Sequence, residues 1–283
     1  YFCPDVIEGK ILFQHDTQQG LAIGHEAKTY AEETGEMPRW TGTVFSGMPT
    51  FQIAPSYASD EPLKGLQKIY NLWLVSPVSL LFIMMLGFYI HMLSLNVRWY
   101  LAAFGAIAYA FSSYFFIIIA AGHIWKFITL AYIPPTIAGI VLAYRGKYLL
   151  GGALAALFGA LQIMSNHVQM SYYFLFVILA VVIAYAVEHY RSHMLPRFFK
   201  ATGVLVVAAL LAVGANASNL YHTYKYSKES MRGGHTELTS QDNSQENTGS
   251  GLDKDYITQW SYGKMETLTL LIPDSKGGAS GLL

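Results

Sequence analysis

Six apolar stretches fill the middle of the chain: Pro77–Leu95, Trp99–Ala121, Ile124–Tyr144, Tyr148–Ser165, Met170–Val187 and Ala201–Ala217. Each is near the roughly 20 residues that carry an α-helix across a bilayer. Hydrocarbon offers no water to satisfy a free amide or carbonyl, so runs of this length are read as helices and not strands. The expected fold is an all-α polytopic membrane protein. Six transmembrane helices occupy 77–217, between a helical outward loop over 1–76 and a truncated outward segment over 218–283. Of 283 residues 53% are hydrophobic and 13% charged, against roughly 25% charged in a soluble domain.

Other features narrow the class. Formal net charge is zero, so no basic surface invites nucleic acid. Cys3 is the one cysteine and forms no intrachain disulfide. Tyr1–Phe13 has neither the basic start nor the apolar core of a signal peptide. The chain is expected to be a fragment, with a helix before it and a domain after it.

Orientation follows from short basic loops. One side receives Arg98, then Arg145 and Lys147, then Arg191, Arg197 and Lys200, while the short loops of the other side carry Lys126 alone. Lys and Arg collect on the cytoplasmic side, which places 1–76 and 218–283 outside a bacterial cytoplasmic membrane.

Small residues at Ala102/Ala106/Ala110 and Gly151/Ala155/Gly159 recur every four positions and allow close helix approach. Pro134-Pro135 lies inside the third span, where it is expected to kink the helix or break it and widen a cavity. His91 and Glu188 are the ionisable groups nearest membrane depth. That scarcity argues against an ion-coupled transporter, which needs buried acids, bases or His relays.

The outward N-terminal segment carries the most chemistry. Gly9-Lys10 reads as a turn, and a helical pattern then runs through Leu21, Ala27, Tyr30 and Ala31 to a stop near Gly35. Asp16 with Gln19 three residues on fits a capping box. A carboxylate at a helix start is held ionised by the helix dipole, which also suits a general base. Gly and Pro punctuate Arg39–Phe51 as a loop, with Trp40, Phe45 and Phe51 as interfacial anchors. From Glu61 to Trp73 an amphipathic helix returns, with Leu63, Leu66, Ile69, Tyr70 and Trp73 on one face and Lys64, Gln67 and Lys68 on the other.

Two outward turns between spans are polar: Gly122-His123-Ile124-Trp125-Lys126 and Ser165-Asn166-His167-Val168-Gln169. Both face the side that holds Asp16, as do Asn216, Asn219, Tyr221 and His222. A His at a helix end is ordinarily a snorkelling or capping residue. The convergence of an acid, two His, a Lys and amides on one face points to a site. No cofactor is predicted; a divalent metal is conceivable, but no His-x-x-His or His-Glu-x-x-His spacing supports one. Ser227–Asp255 is polar without apolar period, so a flexible loop is expected over 227–255, with Arg232–His235 inside it. Tyr256–Tyr262 and Thr267–Pro273 read as short strands or surface turns.

Five runs carry a resemblance to a known family: Phe13–Gly20, Ser46–Phe51, Gly122–Lys126, Asn166–Met170 and Asp255–Ser261. Together they resemble the YfhO family of bacterial membrane proteins, in particular the large form of Bacteroidetes, of which the chain would match about the first third. YfhO proteins resemble the C-type superfamily of integral-membrane glycosyltransferases. The resemblance implies a polyprenyl-phosphate-linked sugar as donor and catalysis on the outer face of the cytoplasmic membrane. It also implies an essential acid in the first outward loop, where Asp16 is the matching residue. The superfamily often pairs two acids there, whereas here Asp16 has His15 beside it. Gram-positive relatives are linked to lipoteichoic-acid glycosylation, which does not carry over to Bacteroidetes.

The expected function is therefore an inverting sugar transfer from a polyprenyl-phosphate donor to a cell-envelope glycan acceptor. Asp16 is the expected base, with His15, His123, Lys126, Asn166, His167 and Gln169 binding substrate and the lipid tail near Pro134-Pro135. The alternative is a non-enzymatic membrane protein that flips or presents a lipid-linked glycan.

Overall fold

The computed structural model describes residues 8–10, 13–53, 57–228, 258–259, 261, 263–272 and 275. The first helix, α1, covers His15–Thr34 and ends where Gly35 turns left-handed at φ 76°. Only glycine takes that conformation without strain, which is why the helix stops there. Two short strands follow, β1 (Trp40–Thr41) and β2 (Met48–Pro49), paired antiparallel with Trp40 opposite Pro49. The Glu26 carboxylate of α1 accepts from the Thr41 and Thr43 hydroxyls and the Gly42 amide, so this hairpin is tied to α1.

Helix α2 spans Glu61–Tyr70 and the apolar helices begin with α3 (Val78–Ser94). Then come α4 (Trp99–Ala110), α5 (Ser113–Ala121), α6 (Ile124–Tyr144) and α7 (Tyr148–Met164). Helices α8 (Val168–Arg191), α9 (Leu195–Ala215) and α10 (Ala217–Lys228) complete the continuous part. A 3₁₀ turn over Glu266–Leu270 takes the place where strands or turns were expected. It meets α5, where the Ser113 hydroxyl donates to the Leu271 carbonyl.

Three helices, α6, α8 and α9, are long and apolar enough to cross a membrane, and the bent pair α4–α5 makes a fourth candidate span. Length and composition thus support three to four of the six expected spans. Helices α3 and α7 are apolar but have 17 residues each, about 25 Å against roughly 30 Å of hydrocarbon.

The second expected span is not one rod: α4 and α5 meet at 45°. The junction is Phe111-Ser112-Ser113, a serine pair of the kind that accompanies sharp kinks. The third span, by contrast, runs unbroken through Pro134-Pro135. Of the two expected outcomes, a kink held by neighbours or a break, the break is absent. Both prolines are buried, and Pro135 meets α3, where a Cβ on Gly87 would lie 2.7 Å from the Ala131 carbonyl oxygen and 3.0 Å from Pro135 Cδ. Close packing by a neighbour holds the helix together where prolines remove its own amides.

Helix α6 is the axis of the bundle. Phe127, Ala131, Tyr132, Ala138 and Ala143 are wholly buried, with α3 on one side and α7 on the other. At the α6–α7 crossing a Cβ on Gly139 would sit 2.5 Å from the Ala155 nitrogen and 2.7 Å from the Gly151 carbonyl oxygen. Lipid tails are as apolar as Leu, so such backbone contact, rather than escape from water, is what associates these helices.

Candidate functional site

The site begins with a helix start displaced from its expected position. Asp16 is not the N-cap of α1: Gln14 is, with Asp16 in the first turn. Gln14 does not cap with its side chain. It lies 7% exposed and donates from Nε2 to the Ile119 carbonyl at 2.5 Å, while its Oε1 accepts from the Thr17 hydroxyl at 2.9 Å. The capping-box expectation fails because Gln14 is committed to α5, which starts the helix two residues early.

The receiving surface is the α5–α6 turn. Gly122 is left-handed at φ 87°, its amide bonds the Ile119 carbonyl and the His123 amide bonds the Ile118 carbonyl. This is the Schellman arrangement that ends a helix. A Cβ on Gly122 would stand 3.1 Å from the Thr17 nitrogen and 3.2 Å from Gln14 Cβ. Only glycine lets α1 settle this closely, and the docking brings Asp16 to His123.

Asp16 Oδ2 lies 2.8 Å from His123 Nε2, with the side chains 48% and 47% exposed. A carboxylate only accepts, so Nε2 carries the hydrogen, and His123 Nδ1 is left for another partner. A half-exposed pair contributes little to stability. Its consequence is positional: a first-turn acid, favoured by the dipole of α1, is aimed at a specific imidazole.

Lys126 and His167 share the neighbourhood. Lys126 Nζ stands 5.4 Å over the Tyr114 ring. His167 precedes α8, and its Nδ1 is buried with no hydrogen-bond partner. Its pKa is held below the ordinary 6.5, first by burial and then by the positive charges of Lys126 and His123. Two other polar groups are committed to the scaffold. Asn166, at φ 57°, accepts from Asn219 Nδ2 at 3.0 Å. Gln169 donates to the Tyr173 hydroxyl at 3.0 Å. His15 is exposed and meets Gln19 of its own helix at 3.2 Å. Thus Asp16, His123, Lys126 and His167 come together, whereas His15, Asn166 and Gln169 are occupied elsewhere.

Below His167 lies an apolar cavity of about 550 Å³ between α6, α7, α8 and α9. Val168 and Leu220 line it near the turn, Ala155, Gly159 and Ala212 along its length, and Tyr144 at the far end. Small residues on α7 and α9 open this space; the proline pair does not. Asn216, 1% exposed, braces one wall by donating to the Ala160 and Ala212 carbonyls at 3.0 and 2.9 Å.

Several contributors were not legible in the sequence. Gln14 and Thr17 look like ordinary polar residues of a helix start. Gln67 was assigned to the water face of α2, yet it donates to the Tyr132 hydroxyl at 3.1 Å while Leu66 and Ile69 stay exposed. Asp60 is only 5% exposed, and burial pushes its carboxyl above the usual range. Its position directly before Glu61-Pro62 was the available clue. Phe51, expected as an interfacial anchor, instead packs its ring 5.4 Å from His222 of α10, while Trp40 and Phe45 are exposed. Among the described residues no three His, Cys, Asp or Glu side chains gather as a metal site. Of the expected flexible loop, Ser227 and Lys228 are helical and the remainder, with Arg232–His235, lies outside the described residues.

Fold and site together define a helical protein with several helices long and apolar enough to cross a membrane and a polar side-chain cluster at one end of its bundle. No family model, no curated protein and no solved structure matches the chain.

Proposed function

We propose that the chain forms the donor-binding and catalytic part of a membrane glycosyltransferase that uses a polyprenyl-phosphate sugar. The observation that carries the reading is the Asp16–His123 pair beside Lys126 and His167, at the end of the bundle where Val168, next to His167, lines the apolar cavity. A lipid-linked sugar needs those two parts in that order, cations for the phosphate and an apolar slot for the tail. A volume of about 550 Å³ falls within the roughly 300–1,000 Å³ typical of ligand sites. On this reading the tail lies between α6, α7, α8 and α9 rather than at the proline pair.

In the proposed reaction Asp16 accepts the proton of an acceptor hydroxyl. The acceptor oxygen forms a bond to the anomeric carbon from the face opposite the phosphate. The carbon–oxygen bond to phosphate breaks, and the polyprenyl phosphate leaves with the electron pair. Lys126 and His123 meet the charge that grows on the phosphate, where a charged donor is worth about twice a neutral one. The reading takes all six apolar segments as crossings, with Asp16 outside a bacterial cytoplasmic membrane and a cell-envelope glycan as acceptor.

Asp16→Asn tests it. Asn keeps an oxygen acceptor for His123 and loses the basicity, so transfer from a polyprenyl-phosphate sugar should fall by about 10² to 10⁴ with insertion unchanged. Full activity in that variant would leave Asp16 as a docking residue, and absence of transfer by the unaltered protein would turn the reading to lipid-linked glycan flipping or presentation. Impermeant thiol reagents should label Ser46→Cys but not Ser192→Cys in intact spheroplasts. The reverse pattern puts Asp16 on the wrong side.

A further inference from the structure

The end of the bundle opposite Asp16 holds polar groups that sugar transfer leaves unused. Helix α6 has 21 residues, about 31 Å, so Arg145 lies a bilayer thickness from His123. There a cavity of about 510 Å³ opens among Tyr144, Arg145, Tyr185, Glu188, His189 and Arg197. Arg145 is anchored by donating to the Ser94 carbonyl at 2.7 Å. Among the described residues Arg197 donates to the Met194 sulfur, at 3.4 Å. His189 is 5% exposed and its Nδ1 lies 2.9 Å from the Tyr185 carbonyl, which fixes the hydrogen on that nitrogen.

A second opening adjoins the first, with Tyr148 as their common wall. It is an apolar groove of about 670 Å³ along α7 and α9, over Leu149, Gly152, Ala156, Gly203, Val207 and Leu211. At the seam Lys200 Nζ stands 4.7 Å over the Tyr148 ring. A Cβ on Gly203 would touch nothing within 4 Å, so the groove is open on that side.

We propose that this pocket and groove bind one anionic phospholipid, of the phosphatidylglycerol type, from the leaflet at this end. Its phosphate lies between Arg145 and Arg197 with Lys200 at the seam, and one acyl chain follows the groove. Two guanidinium forks match phosphate oxygens, and basic pockets between membrane helices are suited to anionic head groups. Glu188 selects within that class: a head group with hydroxyl donors gives its carboxylate a partner that a bare phosphate or a quaternary amine lacks. The groove accounts for a lipid where the arginines alone would account only for an anion.

Native mass spectrometry of the protein extracted in mild detergent, with phosphatidylglycerol, phosphatidylcholine or inorganic phosphate added, tests the assignment. Phosphatidylglycerol should be retained over phosphatidylcholine, and Arg197→Gln should lower its retention about fivefold, the worth of one surface cation. Gly203→Leu should lower it similarly by filling the groove, since that change meets open space and favours helix. Asp16→Asn should change nothing, which keeps this outcome separate from the catalytic one. Equal retention of the two lipids, or wild-type retention in either variant, overturns the proposal. Displacement by inorganic phosphate with no effect of Gly203→Leu also overturns it, leaving a free-anion pocket.

Discussion

Helices α6 and α8 are both long, apolar and free of charge over most of their length, yet they occupy opposite situations. The apolar stretch of α6 is 78% buried, while that of α8, the more apolar of the two, is 6% buried. In water the second helix would be untenable, because every exposed apolar area carries a solvation penalty. In lipid the penalty vanishes, and what decides burial is how closely backbones approach. Helix α6 has Gly139 against α7 and receives α3 at Gly87, whereas α8 leaves Phe176, Leu179 and Ile183 exposed. The central helix holds the architecture, and the peripheral one forms a wall of the apolar cavity.

The largest effect should come from forcing the α6–α7 crossing apart. Gly139→Leu sets a branched side chain where even a Cβ lies 2.5 Å from the Ala155 nitrogen, and overpacking against backbone has no soft outlet. Size-exclusion chromatography in detergent should show loss of the monodisperse species; a normal profile would mean that α6 is not the axis. Next is Phe127→Ala, at a side chain with no exposure. A stability loss on the order of 2 kcal/mol is expected, below the roughly 3–5 of water-soluble cores, because the membrane reference state is itself apolar. Thermal unfolding checks it.

A smaller effect ties α8 to α6 through charge. His167 begins α8, and its lowered pKa reflects burial and the nearby Lys126 and His123. The unfolded chain takes the proton first, so this stabilisation is complete above about pH 6.5 and is lost as pH falls through the lower folded value. His167→Gln should flatten that part of the profile, read as the difference in melting temperature between the two proteins. Bound phosphate should oppose the loss, with affinity rising as pH falls. An identical profile in the variant would separate His167 from the cation cluster. The smallest effect is at the outward face of α8: Leu179→Ala should shift stability within about 0.5 kcal/mol. A large loss there would reveal that α8 is covered by a partner in the assembled protein.

Much of this was readable before any packing was known. The helical character of the apolar runs follows from their length, since no other backbone arrangement satisfies its own amides in hydrocarbon. The end of α1 at Gly35 was legible for the same local reason, as one residue decides a left-handed cap. The polar turns at Gly122–Lys126 and Ser165–Gln169 were visible as interruptions, and the alternation of the chain put them at one end with Asp16.

What remained for the tertiary structure was every choice of partner. A helix apolar all round has no stripe to declare its buried side, so nothing in the sequence set α6 apart from α8. The prolines suggested a break, but a neighbour packed at Gly87 kept that helix whole and the kink fell at Ser112-Ser113. His15 adjoins Asp16 in the chain, yet the partner of Asp16 is His123, because Gln14 reaches Ile119 and Gly122 admits α1. Local chemistry sets where helices begin, end and turn; close approach between backbones, which depends on both partners at once, sets which side chains meet.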